Sequence, residues 1–165
     1  MKKFRKGFTL LELLVVIGVI GIMSSTAMIA GQQATDAARA TNIADGLEKA
    51  ASAMMMYYSD NADDIAVNGV EEADVVEGAN AYLKKTAQLI DSKATNYIGK
   101  YTVYIIGDTP AAQTWWISYT LPDNDKAGVG PIMKNKAERM GLKKDTTSTT
   151  NDYDGTTEEI LMQVR

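Results

Sequence analysis

Glu12 is the residue whose chemistry needs explaining first. Four cations stand before it, Lys2, Lys3, Arg5 and Lys6, and no charge follows it until Asp36. Residues 13 to 35 are therefore free of formal charge. As a helix rising ~1.5 Å per residue, such a run spans ~30 Å, the thickness of a bilayer's hydrocarbon core. An acidic side chain costs up to ~3 kcal/mol at mid-bilayer and less near the interface. Glu12 is thus either tolerated at the interface or matched by a positive group that arrives later. An α-amino group made by cutting the chain before Phe8 is such a partner, four residues away or on a neighbouring chain.

The elements that must position this carboxylate follow from periodicity. Residues 8–31 read as one apolar helix. Gly18 and Gly21 cost ~1 kcal/mol each in a helix in water, but small residues let apolar helices approach closely. Residues 32–59 change to an amphipathic helix, with Ile43, Leu47, Ala51, Met54 and Tyr58 recurring on one face. Tyr57 and Tyr58 close it as aromatic packing anchors.

The remaining residues, 60–165, form a globular head: a variable region over 60–100, then a sheet and C-terminal loop over 101–165. Ser59 to Gly69, rich in Asn and Asp, reads as a solvated turn. Val76, Ala79, Leu83, Ala87 and Ile90 predict a second helix. Tyr101–Ile106 and Thr114–Leu121 predict an antiparallel hairpin around Gly107-Asp108-Thr109-Pro110. Trp115 and Trp116 point to opposite faces, so one packs on the helix and the other is exposed or lies at a subunit contact. Pro122 breaks the strand. Pro131 starts a short basic helix with Lys134, Lys136 and Arg139, ending at Gly141. That cluster is a solvated face, or a patch that meets a neighbour's acidic loop. Ile160–Val164 is a strand that returns to the sheet. The fold class is α+β: a long N-terminal helix, apolar then amphipathic, against a small antiparallel sheet.

Composition narrows the function. Without its four leading cations the chain keeps 13 basic against 21 acidic residues, a balance of −8. That argues against general nucleic-acid binding. With no cysteine and no histidine, thiol or imidazole catalysis and Cys/His zinc sites are excluded. No phosphate-binding loop or paired carboxylates on an evident scaffold occur, so no enzyme and no cofactor is expected.

The basic leader ending in Gly7, then Phe8-Thr9-Leu10-Leu11-Glu12 and the apolar run, resembles the class III signal of type IV pilins and type II secretion pseudopilins. The resemblance implies a pilin-like fold and a set of roles. Residues 1–7 are removed by a prepilin peptidase between Gly7 and Phe8, and Phe8 becomes an N-methylated terminus. Glu12 pairs with the Phe8 amine of a neighbouring subunit, with Gly18 and Gly21 in the helix contact. An inner-membrane assembly platform then draws the single-pass precursor, N-terminus cytoplasmic, into a homopolymer outside the cell. Such fibres serve adhesion, twitching motility or protein secretion. A type II secretion pseudopilin is the alternative. A single-span anchored ligand-binding protein explains the apolar run but neither Glu12 nor Gly7 before Phe8. Many members of the family close their C-terminal region with a disulfide, which this chain lacks, and many carry a proline where Ile29 stands. Residues 145–157 read as a polar loop and no metal is expected, although some pseudopilins bind calcium through C-terminal aspartates, for which Asp152 and Asp154 would be the ligands here. If the leader is read as the resemblance implies, Gly7→Asp leaves an uncleaved precursor in the membrane. Normal trimming on a gel would contradict it.

Overall fold

A computed structural model describes residues 8–85, 101–146 and 152–165. Helix α1 spans Leu10–Asp60 and is followed by α2 (Ala62–Asn68) and α3 (Glu72–Lys85). Strands β1 (Tyr101–Ile106) and β2 (Thr114–Thr120) flank a 3-10 turn at Pro110–Ala112. Helix α4 (Asp123–Met140), the short β3 (Leu142–Lys143) and β4 (Glu159–Gln163) complete the chain. It divides into two compact units, Met1–Thr35 and Asp36–Arg165. In the first, every described residue, 8–35, is exposed.

The second unit is a mixed α+β head. Its sheet has four strands in the order β1-β2-β4-β3, and all three pairings are antiparallel. One face presents Trp115, Ile117, Tyr119, Ile160 and Met162 to the core. The other side of that core is the α1 stripe of Ala40, Ile43, Ala44, Leu47, Ala50 and Met54. Spacings of three and four put these on one helix face. Their small size lets the sheet lie close. Gly46 is the tightest point: a Cβ there would run into the Tyr101 ring. Leu47 is fully buried, and burying a leucine stabilises the fold by ~1.5–3 kcal/mol. At the end of α1, Tyr58 packs edge-on against Trp115 at 5.4 Å between centroids, and Tyr57 lies 6.5 Å away, tilted.

The C-terminus is fastened without a disulfide. Beyond β4, Val164 donates its N–H to the Trp115 carbonyl at 2.7 Å, and Trp115 donates to the Arg165 carbonyl at 3.0 Å. The Arg165 guanidinium sits 4.3 Å over the Tyr58 ring, a cation–π contact.

Four expectations need correction. Residues 59–69 are not a loop: α1 runs to Asp60 and α2 occupies most of the rest. Asn and Asp favour helix N-termini as well as turns, and Asp63 and Asp64 lie in the first turn of α2, where the helix dipole attracts them. Second, α4 begins at Asp123, and Pro131 lies inside it. Pro122, at φ −60°, makes the entry, and Asp123 and Asp125 occupy the first turn. Pro131 follows Gly130, which has no Cβ to meet its ring. Gly141 does cap the helix, at φ 66° with its N–H on the Ala137 carbonyl. Third, α3 is the expected second helix and buries Ala79 as expected, but it also buries Val75, which the stripe left out; Ala87 and Ile90 lie outside the described residues. Fourth, Trp116 is not exposed. It is only 2% accessible, and its neighbours on that sheet face, Ser118 and Leu161, are buried too.

Two tyrosine hydroxyls give the head an alkaline limit. Burial, with the nearby Asp125 carboxylate, pushes Tyr119 up to about 12. Burial, with Asp154, does the same to Tyr153, also to about 12. An unfolded tyrosine ionises near ~10. The folded state therefore holds these protons more tightly, and the stability they contribute is full below ~pH 10 and lost as pH rises towards ~12. Urea midpoints should fall steeply across that interval, and Tyr119→Phe with Tyr153→Phe should flatten the decline. An unchanged slope would show that these hydroxyls are not the cause.

Candidate assembly and processing site

The sequence around Glu12 starts a helix as well as carrying a charge. Thr9 stands just before α1, and its carbonyl accepts the Leu13 N–H at 3.2 Å. The Glu12 N–H donates to Thr9 Oγ1 at 3.2 Å. In return, the Thr9 N–H and hydroxyl both donate to Glu12 Oε2, each at 2.8 Å. This is a reciprocal capping box, which satisfies helix N–H groups that have no intrahelical partner. The Thr-x-x-Glu spacing is itself the sequence signature of such a box.

The box changes what Glu12 needs. Its hydrogen-bonding capacity is partly met within its own chain, but its charge is not, because both donors from Thr9 are neutral. An ionised carboxylate has about four lone-pair sites. Both bonds from Thr9 fall on Oε2, so Oε1 is open to a cationic donor.

On both sides of Glu12 the chain exposes apolar side chains. Phe8 is 84% exposed, Leu10 83% and Ile22 69%, and Ile29 is still 58% exposed. The hydroxyls within this stretch fold back on the helix: Ser25 donates to the Ile22 carbonyl at 2.8 Å and Thr26 to that of Met23 at 2.9 Å. They therefore add little polarity to its surface. A Cβ built on Gly18 or Gly21 meets nothing within 4 Å, so no contact within the chain requires either residue to be small. Among the described residues, α1 is the helix long and apolar enough to cross a membrane. Gly7 lies outside the described residues, and Phe8 is the first described.

The C-terminal carboxylates are otherwise engaged. Lys143 Nζ sits 2.6 Å from Asp152 Oδ1. Asp154 Oδ1 accepts the Thr156 N–H at 2.9 Å and its hydroxyl at 2.7 Å. These bonds from Thr156 hold the Asp154 carboxyl below the usual carboxylate range. Among the described residues, no group of three or more His, Cys, Asp or Glu side chains is placed to hold a metal ion.

Sequence reasoning also missed a half-buried ion pair. Arg39 on α1 reaches Asp125 on α4 at 2.5 Å; the aspartate side chain is 3% exposed and the arginine 41%. Its partners lie 86 residues apart, so no local pattern announces it. Gly128 gives Asp36 room beside the same helix, since a Cβ there would meet the Asp36 carboxylate.

No curated protein and no solved structure matches the chain. Residues 2–28 match the prokaryotic N-terminal methylation motif. The basic leader, the capped glutamate and the exposed apolar helix are therefore the class III signal of type IV pilins and pseudopilins, carried by a pilin-like α+β chain.

Proposed function

We propose that the chain is a structural subunit of a type IV pilus. Cleavage between Gly7 and Phe8 and N-methylation of Phe8 prepare it. The precursor waits in the inner membrane with its basic end cytoplasmic, as expected when cations precede an apolar span. An assembly platform then lifts it into a homopolymer in which copies of the apolar half of α1 cover one another. Gly18 and Gly21 serve close approach in that bundle. Its work is polymerisation, with no catalysis.

The observation that carries this reading is the exposed apolar helix headed by Glu12. The motif makes a membrane-anchored precursor the natural first home of that surface. Only a partner with a positive group can then complete Glu12. The Phe8 amine of another copy has the charge, and a subunit one step out of register would leave two unpaired charges in an apolar bundle, which is costly. A deletion strain separates pilus from pseudopilus. Surface fibres missing by electron microscopy support the pilus, whereas intact fibres with lost enzyme secretion contradict it.

Two substitutions separate pairing from capping. Glu12→Val removes the charge and the cap together. Thr9→Val removes the hydroxyl's part of the cap, at a cost of ~1 kcal/mol, and leaves the charge. Both precursors should be trimmed normally. Thr9→Val should assemble nearly as well as the natural chain, and Glu12→Val should yield few fibres. Equal losses in sheared-fibre yield would reduce Glu12 to a helix cap.

A further inference from the structure

The head's charge is sorted by sheet edge. Between residues 50 and 83 stand seven carboxylates, from Asp60 to Glu77, and neither lysine nor arginine. All seven are exposed. Lys84 and Lys85 come only at the end of α3. Helix α3 packs along β1, which forms one edge of the sheet, and Glu72 accepts the Ile105 N–H of that strand. The field is strong enough to reach a neighbour: after burial, the charges of Asp74, Asp64 and Glu77 help hold the Tyr57 hydroxyl above its ordinary value.

The other edge carries a cluster of cations. There β3 is the outer strand, and α4 packs against it. Lys126, Lys143 and Lys144 are matched within the head by Asp123 and Glu158, by Asp152 and by Asp154. Lys134, Lys136 and Arg139 are not: none is ion-paired to a described residue, and Lys134 and Arg139 are exposed. Glu138 is the exposed acid among them.

We infer that the acidic α2–α3 edge of one head docks on the basic α4 edge of the next copy. The occupant is a second copy because each chain carries both halves of the contact, at opposite edges of one sheet. A two-fold dimer through either edge would set like charges face to face, which costs association heavily. A head-to-tail contact sets acid on base and leaves a free edge at each end. Such heterologous contacts close into rings or continue as open helical polymers. The head thus carries a directional bias of its own, separate from Glu12. The inference rests on the proposed polymer for its context but names different residues.

The chain has no cysteine, so introduced thiols report the contact cleanly. Ala73→Cys on α3 and Asn135→Cys on α4 are both exposed positions. In cells expressing the full chain, a short bis-maleimide should give a ladder of oligomers only when both thiols are present in one chain. Adding Lys134→Glu with Arg139→Glu should lower the crosslinked fraction about tenfold. Adding Glu71→Lys with Asp74→Lys to that same chain should restore part of it, since the new acids of α4 then meet lysines on α3. Restoration also shows that the reversed helix still folds. Fibres without a ladder, or a ladder indifferent to the reversals, would overturn the contact and leave the pilus reading standing. A charge-sensitive ladder in cells that make no fibre would support the contact and defeat the pilus reading.

Discussion

An apolar helix surface cannot stay in water, and everything at the N-terminus follows from that. From Leu10 to Ile29 the large side chains are exposed, and each would gain ~1.5–3 kcal/mol from cover. A bilayer supplies cover without specificity. A bundle of copies supplies it with register, provided something penalises slippage. Glu12 is suited to that task because its own chain satisfies it only halfway. Thr9 fixes the orientation of the carboxylate with two neutral hydrogen bonds to Oε2. The charge remains to be met from outside. In the proposed assembly the chain orients the carboxylate and a neighbour would neutralise it.

The head solves a different problem, holding a small sheet on one helix without a crosslink. It does so by closeness. The helix face is built largely of alanine, with Gly46 beneath Tyr101, so strands and helix approach until Trp115, Ile117 and Tyr119 fill the gap. The chain end is then threaded beside Trp115 and held by backbone hydrogen bonds and by Arg165 over Tyr58. The Arg39–Asp125 pair ties α4 to the same helix. Such a half-buried pair is weak evidence for stability but stronger evidence for geometry, because removing Arg39 would leave the buried Asp125 charge stranded. These contacts make the head a firm body with carboxylates along one sheet edge and a cluster of cations at the other.

What could be read in advance was what repeats or stands alone. The charge-free run, the Glu12 anomaly and the α1 stripe through Ile43, Leu47 and Met54 are visible because periodicity is local. The hairpin of β1 and β2 was visible in its β-branched and aromatic residues. Local chemistry misled where one residue type serves two purposes. Asn61, Asp63 and Asp64 belong to turns and to helix starts, and here they start α2. Pro131 marks a first turn in most helices but lies within α4, where the preceding glycine relieves the clash. Trp116 was misplaced because alternation assigns a face, and whether that face is covered depends on the rest of the chain. Arg39 and Asp125 meet only in three dimensions. The Thr9-Glu12 box was legible and was missed because the charge of Glu12 drew the whole explanation.

The central claim is that Glu12 is completed by the amino end of another copy. Electron cryomicroscopy of sheared fibres tests it directly. The account predicts a core of α1 helices in which each chain begins at Phe8 and its nitrogen lies within ~3 Å of a neighbouring Glu12 carboxylate. Fibres whose Glu12 contacts only its own Thr9, or whose chains begin at Met1, would contradict it.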